Sequence, residues 1–138
     1  MQFKEGRKHE RRGAALVEMA VVAPLLMLFV LGIIEVGRVV MVQQILTNAS
    51  REGARRAVIE SATDIEVQSL VSAYLSNTSV AGATVTVTPS PLSSAGFGDS
   101  VTVSVSVPFS SVNWLGSSWF FQNRTLTASS LMRAERLQ

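Results

Sequence analysis

One carboxylate interrupts an otherwise apolar run. Glu18 is the only ionisable side chain between Ala14 and Ile34. It stands just past Gly13, where a basic leader holding Lys4, Arg7, Lys8, Arg11 and Arg12 gives way to hydrocarbon. An acid at the centre of a membrane helix costs about 2.5–3.5 kcal/mol on insertion scales, and one turn from its end it costs less, because water and headgroups are near. The remaining penalty predicts that Glu18 has a partner.

Other chemistry is sparse. The single His, His9, lies in the leader, and the absence of Cys removes thiol nucleophiles and zinc–thiolate sites. Asp64, Glu66 and Asp99 do not follow a metal-ligand spacing. No phosphate-binding Gly-Lys-Ser/Thr loop occurs, which excludes a P-loop ATPase. The Asn-X-Ser/Thr triplets at Asn48, Asn77 and Asn123 are chance matches in a Ser/Thr-rich chain. The expectation is a protein that is not an enzyme, with no cofactor, metal or small-molecule substrate.

The element that carries Glu18 must be a helix of membrane length. Ala14–Ile34 is 21 residues, and at roughly 1.5 Å each these extend about 31 Å, enough for a hydrocarbon core of about 30 Å. A secretory signal peptide would have an apolar core of only about 7–15 residues followed by a small-residue cleavage site. This run is longer, and no such site follows. Pro24 leaves the carbonyl of Ala20 without its helical donor, which predicts a kink. Gly32 and Gly37 suit close approach by another helix. Glu35 and Arg38, three apart at the outer boundary, read as an i,i+3 pair with a snorkelling Arg.

The junction Arg11-Arg12-Gly13-Ala14-Ala15-Leu16-Val17-Glu18 resembles the type IV pilin superfamily. Precursors in that superfamily carry a short basic leader ending in Gly, then an apolar stretch with Glu at its fifth position. The resemblance makes Gly13 the last leader residue, Ala14 the first mature residue and Glu18 the fifth. It implies cleavage after Gly13 by a prepilin peptidase, and a Glu18 that sets register against the new amine of a neighbouring subunit. Two opposite charges, neither well solvated, can neutralise each other there. A second stretch, Asn48-Ala49-Ser50-Arg51-Glu52-Gly53-Ala54-Arg55-Arg56-Ala57, resembles the Arg-Glu-Gly-Ala-Arg segment after the membrane helix of TadE-like proteins. These are minor pilins or pseudopilins of tight-adherence (Flp) pilus systems. Ala15–Ala20, Pro24 and the ending Leu131-Met132-Arg133-Ala134-Glu135 are similar to the same family. The resemblance covers residues 10 to 60 well and the remainder loosely.

Charge sets the topology. The chain's formal charge is +2, but the leader contributes +3, so residues 14–138 carry −1 and no nucleic-acid-binding stripe remains. A positive leader keeps the N-terminus cytoplasmic and sends the C-terminal part outward. The expected location is the bacterial inner membrane, single-pass, with extraction into a pilus as a later fate. Without Cys the exported part must rely on packing alone, and about 80 residues there leave room for one small domain. The expected divisions are a basic leader over 1–13, a transmembrane helix and its extension over 14–60, and an exported α+β domain over 61–138.

Past the membrane, Val42, Ile45, Leu46, Ala49, Gly53 and Ala57 recur at spacings of three and four, leaving Gln43, Gln44, Thr47, Asn48, Ser50, Arg51 and Arg55 outside the stripe. One helix to about Glu60 is predicted. Ser61 or Thr63 then caps an amphipathic helix over 64–77 with Ile65, Val67, Leu70, Val71, Tyr74 and Leu75 on its apolar side. Ala83–Thr88 and Ser100–Pro108 alternate Val with Thr or Ser, the period-two pattern of half-buried strands. Arg124–Met132 adds a third strand, antiparallel to the second. The fold class is α+β, a long helical stem with a small three-stranded head. Between the last strands, Trp114, Leu115, Trp119, Phe120 and Phe121 read as a segment folded back over the small core. A partner contact or membrane-interface anchor through Trp114, Trp119 and Phe120 is the other reading.

The expected role is a non-catalytic minor pilin or pseudopilin assembled through its helix into a Tad/Flp-type pilus or secretion complex. Its partners would be the membrane, a prepilin peptidase, other pilin subunits and the assembly machinery, with no nucleic acid. The competing class is an uncleaved single-pass protein whose outer domain binds a ligand or scaffolds a secretion machine.

Overall fold

The computed structural model describes residues 6–112 and 124–135, with side chains from Gly13 onward. A single helix of 52 residues, α1 (Gly6–Ala57), is followed by α2 (Asp64–Ser76) and by strands β1 (Thr84–Thr88), β2 (Ser100–Pro108) and β3 (Thr125–Arg133). The fold is α+β, as the patterning predicts. Pro24 lies inside α1, which is assigned as helix on both sides of it. The chain divides into two units, residues 1–37 and residues 38–138.

In the first unit every side chain from Gly13 to Val30 is exposed. Leu16 stands 71% exposed and Phe29 66%. A helix apolar all round belongs in hydrocarbon or inside a larger assembly. This one is long and apolar enough to cross a membrane.

The second unit is built on the rest of α1. Val42, Leu46, Ala49, Ala54 and Ala57 are fully buried, so the spacing of three and four does face a core. Ser50, expected outside that stripe, is fully buried as well. Its hydroxyl bonds to the Thr47 carbonyl at 2.9 Å and to the Ser130 hydroxyl at 2.8 Å, so a polar group is tolerated because both sides of it are satisfied. The helix stops at Ala57, three residues before the expected end. Tight bonds from Ile59 N to the Arg56 carbonyl and from Ala62 N to the Ile59 carbonyl turn the chain, and Ser61 takes a left-handed φ of 70°.

Thr63 supplies the cap of α2, its hydroxyl accepting from Glu66 N at 3.3 Å, with Asp64 and Glu66 in the first turn where the helix dipole favours acids. Val67, Val71 and Leu75 are buried. Ile65 is 79% exposed and Tyr74 38%, against the expected wider stripe. The buried residues form a single i,i+4 row, with Leu70 partly buried against the core beside it.

The sheet runs in the order β1-β2-β3, antiparallel throughout. Central β2 buries Val101, Val103, Val105 and Val107, and its outward Thr102, Ser104 and Ser106 pair with Thr and Ser of both neighbours, apart from the Thr102–Leu131 pair. The connection from β1 to β2 is tied to α2: Asp64 accepts from Leu92 N at 2.7 Å and from the Ser90 hydroxyl. That anchor buries Leu92.

Candidate functional site

The residues that carry the most chemistry lie at the start of the described side chains. Gly13 and Ala14 are exposed and lie inside α1. Glu18 follows Ala14 by one turn on the same helix face, about 6 Å along the axis. It is exposed, and among the described residues it has no hydrogen bond or ion pair.

Two glycines of α1 contrast. A β-carbon at Gly53 would stand 2.7 Å from Val71 Cγ2 and 3.0 Å from Val103 Cγ1, so packing demands glycine there. At Gly13 nothing lies within 4 Å of the same position. The fold of this chain gives no steric reason for glycine at 13.

The guanidinium of Arg38, the first residue of the second unit, donates to two backbone carbonyls of the head: Val112 at 2.8 Å and Ser79 at 3.4 Å. The part-buried Val112 carbonyl needs a donor, and Arg38 supplies it while also reaching a segment far away in sequence. Nearby, Phe109 N donates to the Arg124 carbonyl at 2.8 Å. Trp114, Trp119 and Phe120, read from the sequence as contact residues, lie outside the described residues.

Three acids of the head have structural uses. Asp64 holds the β1–β2 connection, and Asp99 accepts from Gly96 N at 2.8 Å to close a turn. Glu66 pairs with Arg56 of α1. The Arg56 guanidinium hydrogen-bonded to it holds the Glu66 carboxyl below the usual carboxylate range. Arg51, Glu52 and Arg55 are exposed, and among the described residues they have no ion pair or hydrogen bond. The Arg-Glu-Gly-Ala-Arg stretch thus splits in two. Gly53 and Ala54 are buried and join the head, while the three charged side chains face outward.

This division falls inside a stretch that known proteins share. Residues 13–55 match the family model described as TadE-like protein. The segment is TadE-like. It contains Gly13, Ala14, Glu18, Pro24 and most of the Arg-Glu-Gly-Ala-Arg neighbourhood. The TadE-like segment covers less than half of the chain and ends within α1, before α2 and the sheet. No match was found among curated proteins or solved structures.

Sequence reasoning missed Ser50, Arg38 and the anchoring role of Asp64. Ser50 carries the weak signal of a small residue beside the Ala49 stripe. The bonds of Arg38 reach residues 41 and 74 positions away, and no local pattern encodes them.

Proposed function

We propose that this chain is a minor pilin or pseudopilin of a Tad/Flp-type pilus or secretion complex, a structural subunit without catalytic activity. It is inserted in the bacterial inner membrane with its N-terminus cytoplasmic and its head outside. A prepilin peptidase cuts after Gly13, and α1 then packs among the helices of other subunits. The observation that carries this reading is the lone charge. Glu18 is exposed on an apolar helix, without a partner among the described residues, one turn from the residue that becomes the new terminus. Cleavage supplies the missing cation as the Ala14 amine of a neighbour, where each charge gains by pairing with the other in place of facing lipid. Gly13, which packing in this fold does not require, fits recognition by a peptidase.

Mass spectrometry of the chain from cells with an active prepilin peptidase tests the cut. A mature N-terminus at Ala14 is expected, and a chain beginning at Met1 would favour the uncleaved single-pass reading. Glu18→Ala should leave insertion and cleavage intact and block assembly. Unchanged piliation in that variant removes the pairing role.

A further inference from the structure

We infer that the outward charges of the TadE-like segment form a second contact between copies of this chain, outside the membrane, in which Glu52 of one copy pairs with Arg55 of the next. The inference rests on assembly through α1 as proposed above, and adds a partner surface and a register. Val40, Gln44, Asn48, Arg51, Glu52 and Arg55, each three or four positions from another of the set, are all exposed. They form one stripe on the part of α1 that belongs to the head unit. Open grooves border it, one lined by Val39, Gln43 and Thr47, the other by Tyr74 and Met132. Side-chain ridges of a second helix seat in grooves of that kind.

The charges choose the occupant. The stripe holds two cations and one anion, and none has a partner among the described residues. Arg56, one position further on, shows the contrast: it turns toward α2 and pairs with Glu66. Copies inserted through the same N-terminal segment run parallel. In register, Glu52 would face Glu52 and Arg55 would face Arg55. A displacement of three residues, about 4.5 Å along the axis, sets Glu52 level with Arg55 and Asn48 level with Arg51. The stripe is therefore complementary to a displaced copy of itself, and like-charge contacts disfavour the undisplaced pair.

The native chain has no Cys, so disulfide trapping in membranes of piliated cells is clean. Full-length chains carrying Gln44→Cys and Thr47→Cys, distinguished by tag size and expressed together, should cross-link several-fold more than two Gln44→Cys chains. Adding Glu52→Arg to both should lower the 44–47 product about tenfold. The exchange Glu52→Arg with Arg55→Glu restores complementarity at the same displacement and should recover it. Equal trapping in both registers, or an exchange no better than the single reversal, overturns the inference. Gly32→Cys in the apolar stretch separates the two claims. Trapping at 32 without the 44–47 product leaves helix-mediated assembly standing and removes this contact, whereas no trapping at either position removes both.

Discussion

Gly53 of α1 lies so close to Val71 of α2 that a β-carbon at 53 would approach Val71 Cγ2 to 2.7 Å. The two closest neighbours of the missing methyl, Val71 and Val103, are β-branched and fully buried, so neither has a flexible end to move aside. Gly53→Ala should therefore destabilise the head by about 1–3 kcal/mol through overpacking, despite a gain of up to about 1 kcal/mol in helix propensity. Thermal unfolding of the full chain in detergent checks this. Val71→Ala in the same molecule opens space, so the double variant should lose less than the two single losses combined.

The Ser50–Ser130 hydroxyl pair joins α1 to β3 at 2.8 Å, linking buried Ser50 to half-buried Ser130. Ser50→Ala should cost about 1 kcal/mol, the usual net worth of such a bond. Ser130→Ala should cost less, since Ser50 keeps its bond to the Thr47 carbonyl. Denaturant midpoints of the singles and the double give a coupling energy, and strict additivity would deny that the two hydroxyls interact.

The Arg56–Glu66 pair makes the head mildly sensitive to acid. Glu66 titrates lower in the folded chain than in the unfolded one, because Arg56 holds the charged form. The pair's contribution is accordingly present above the unfolded pKa and disappears as pH falls through the folded one. Both side chains are partly exposed, so the effect is small and weakens in salt. The stability gap between the native chain and Glu66→Gln should narrow on acidification, and Arg56→Ala should raise the Glu66 titration midpoint seen by NMR. A gap that widens toward low pH would contradict the pairing.

Asp64 works as a clamp across 28 positions of sequence. Asp64→Ala leaves the buried-side amide of Leu92 without its acceptor, a loss of about 1–3 kcal/mol for an unsatisfied group. Hydrogen exchange at Leu92 should accelerate sharply, while amides of β2 between Val101 and Val107 should change only by the global loss. Asp64→Asn keeps an acceptor oxygen and should retain most of the protection.

How much of this was legible in sequence depends on the range of the interaction. Strand β2 was readable to the residue because Val alternates with Ser or Thr from Ser100 to Val107 and one face is buried. Thr63 was readable as one of two caps, since its hydroxyl acts three residues away. Ile65 and Tyr74 misled, because apolar spacing reports what a helix offers and not how much of it the sheet can cover. The end of α1 was overestimated for a related reason: the left-handed Ser61 follows from the turn into α2, which no propensity at Val58–Glu60 announces. At the candidate site the contrast is sharper. The position of Glu18 in an apolar run was plain in the sequence, whereas the exposure of Arg51, Glu52 and Arg55 and the burial of Gly53 required knowing which face of α1 the head occupies.

Because Val42, Leu46 and Ala49 belong to the head's core, the point at which the chain can be shortened is fixed. A soluble fragment for crystallisation, immunisation or binding assays should begin at Arg38, where the compact unit starts. One beginning at Ser61 keeps every strand yet strips away the helix that Val71 and Val103 pack upon at Gly53, and it is expected to aggregate. A protease able to nick α1 between Val42 and Ala57 would destroy the head as surely as it released it.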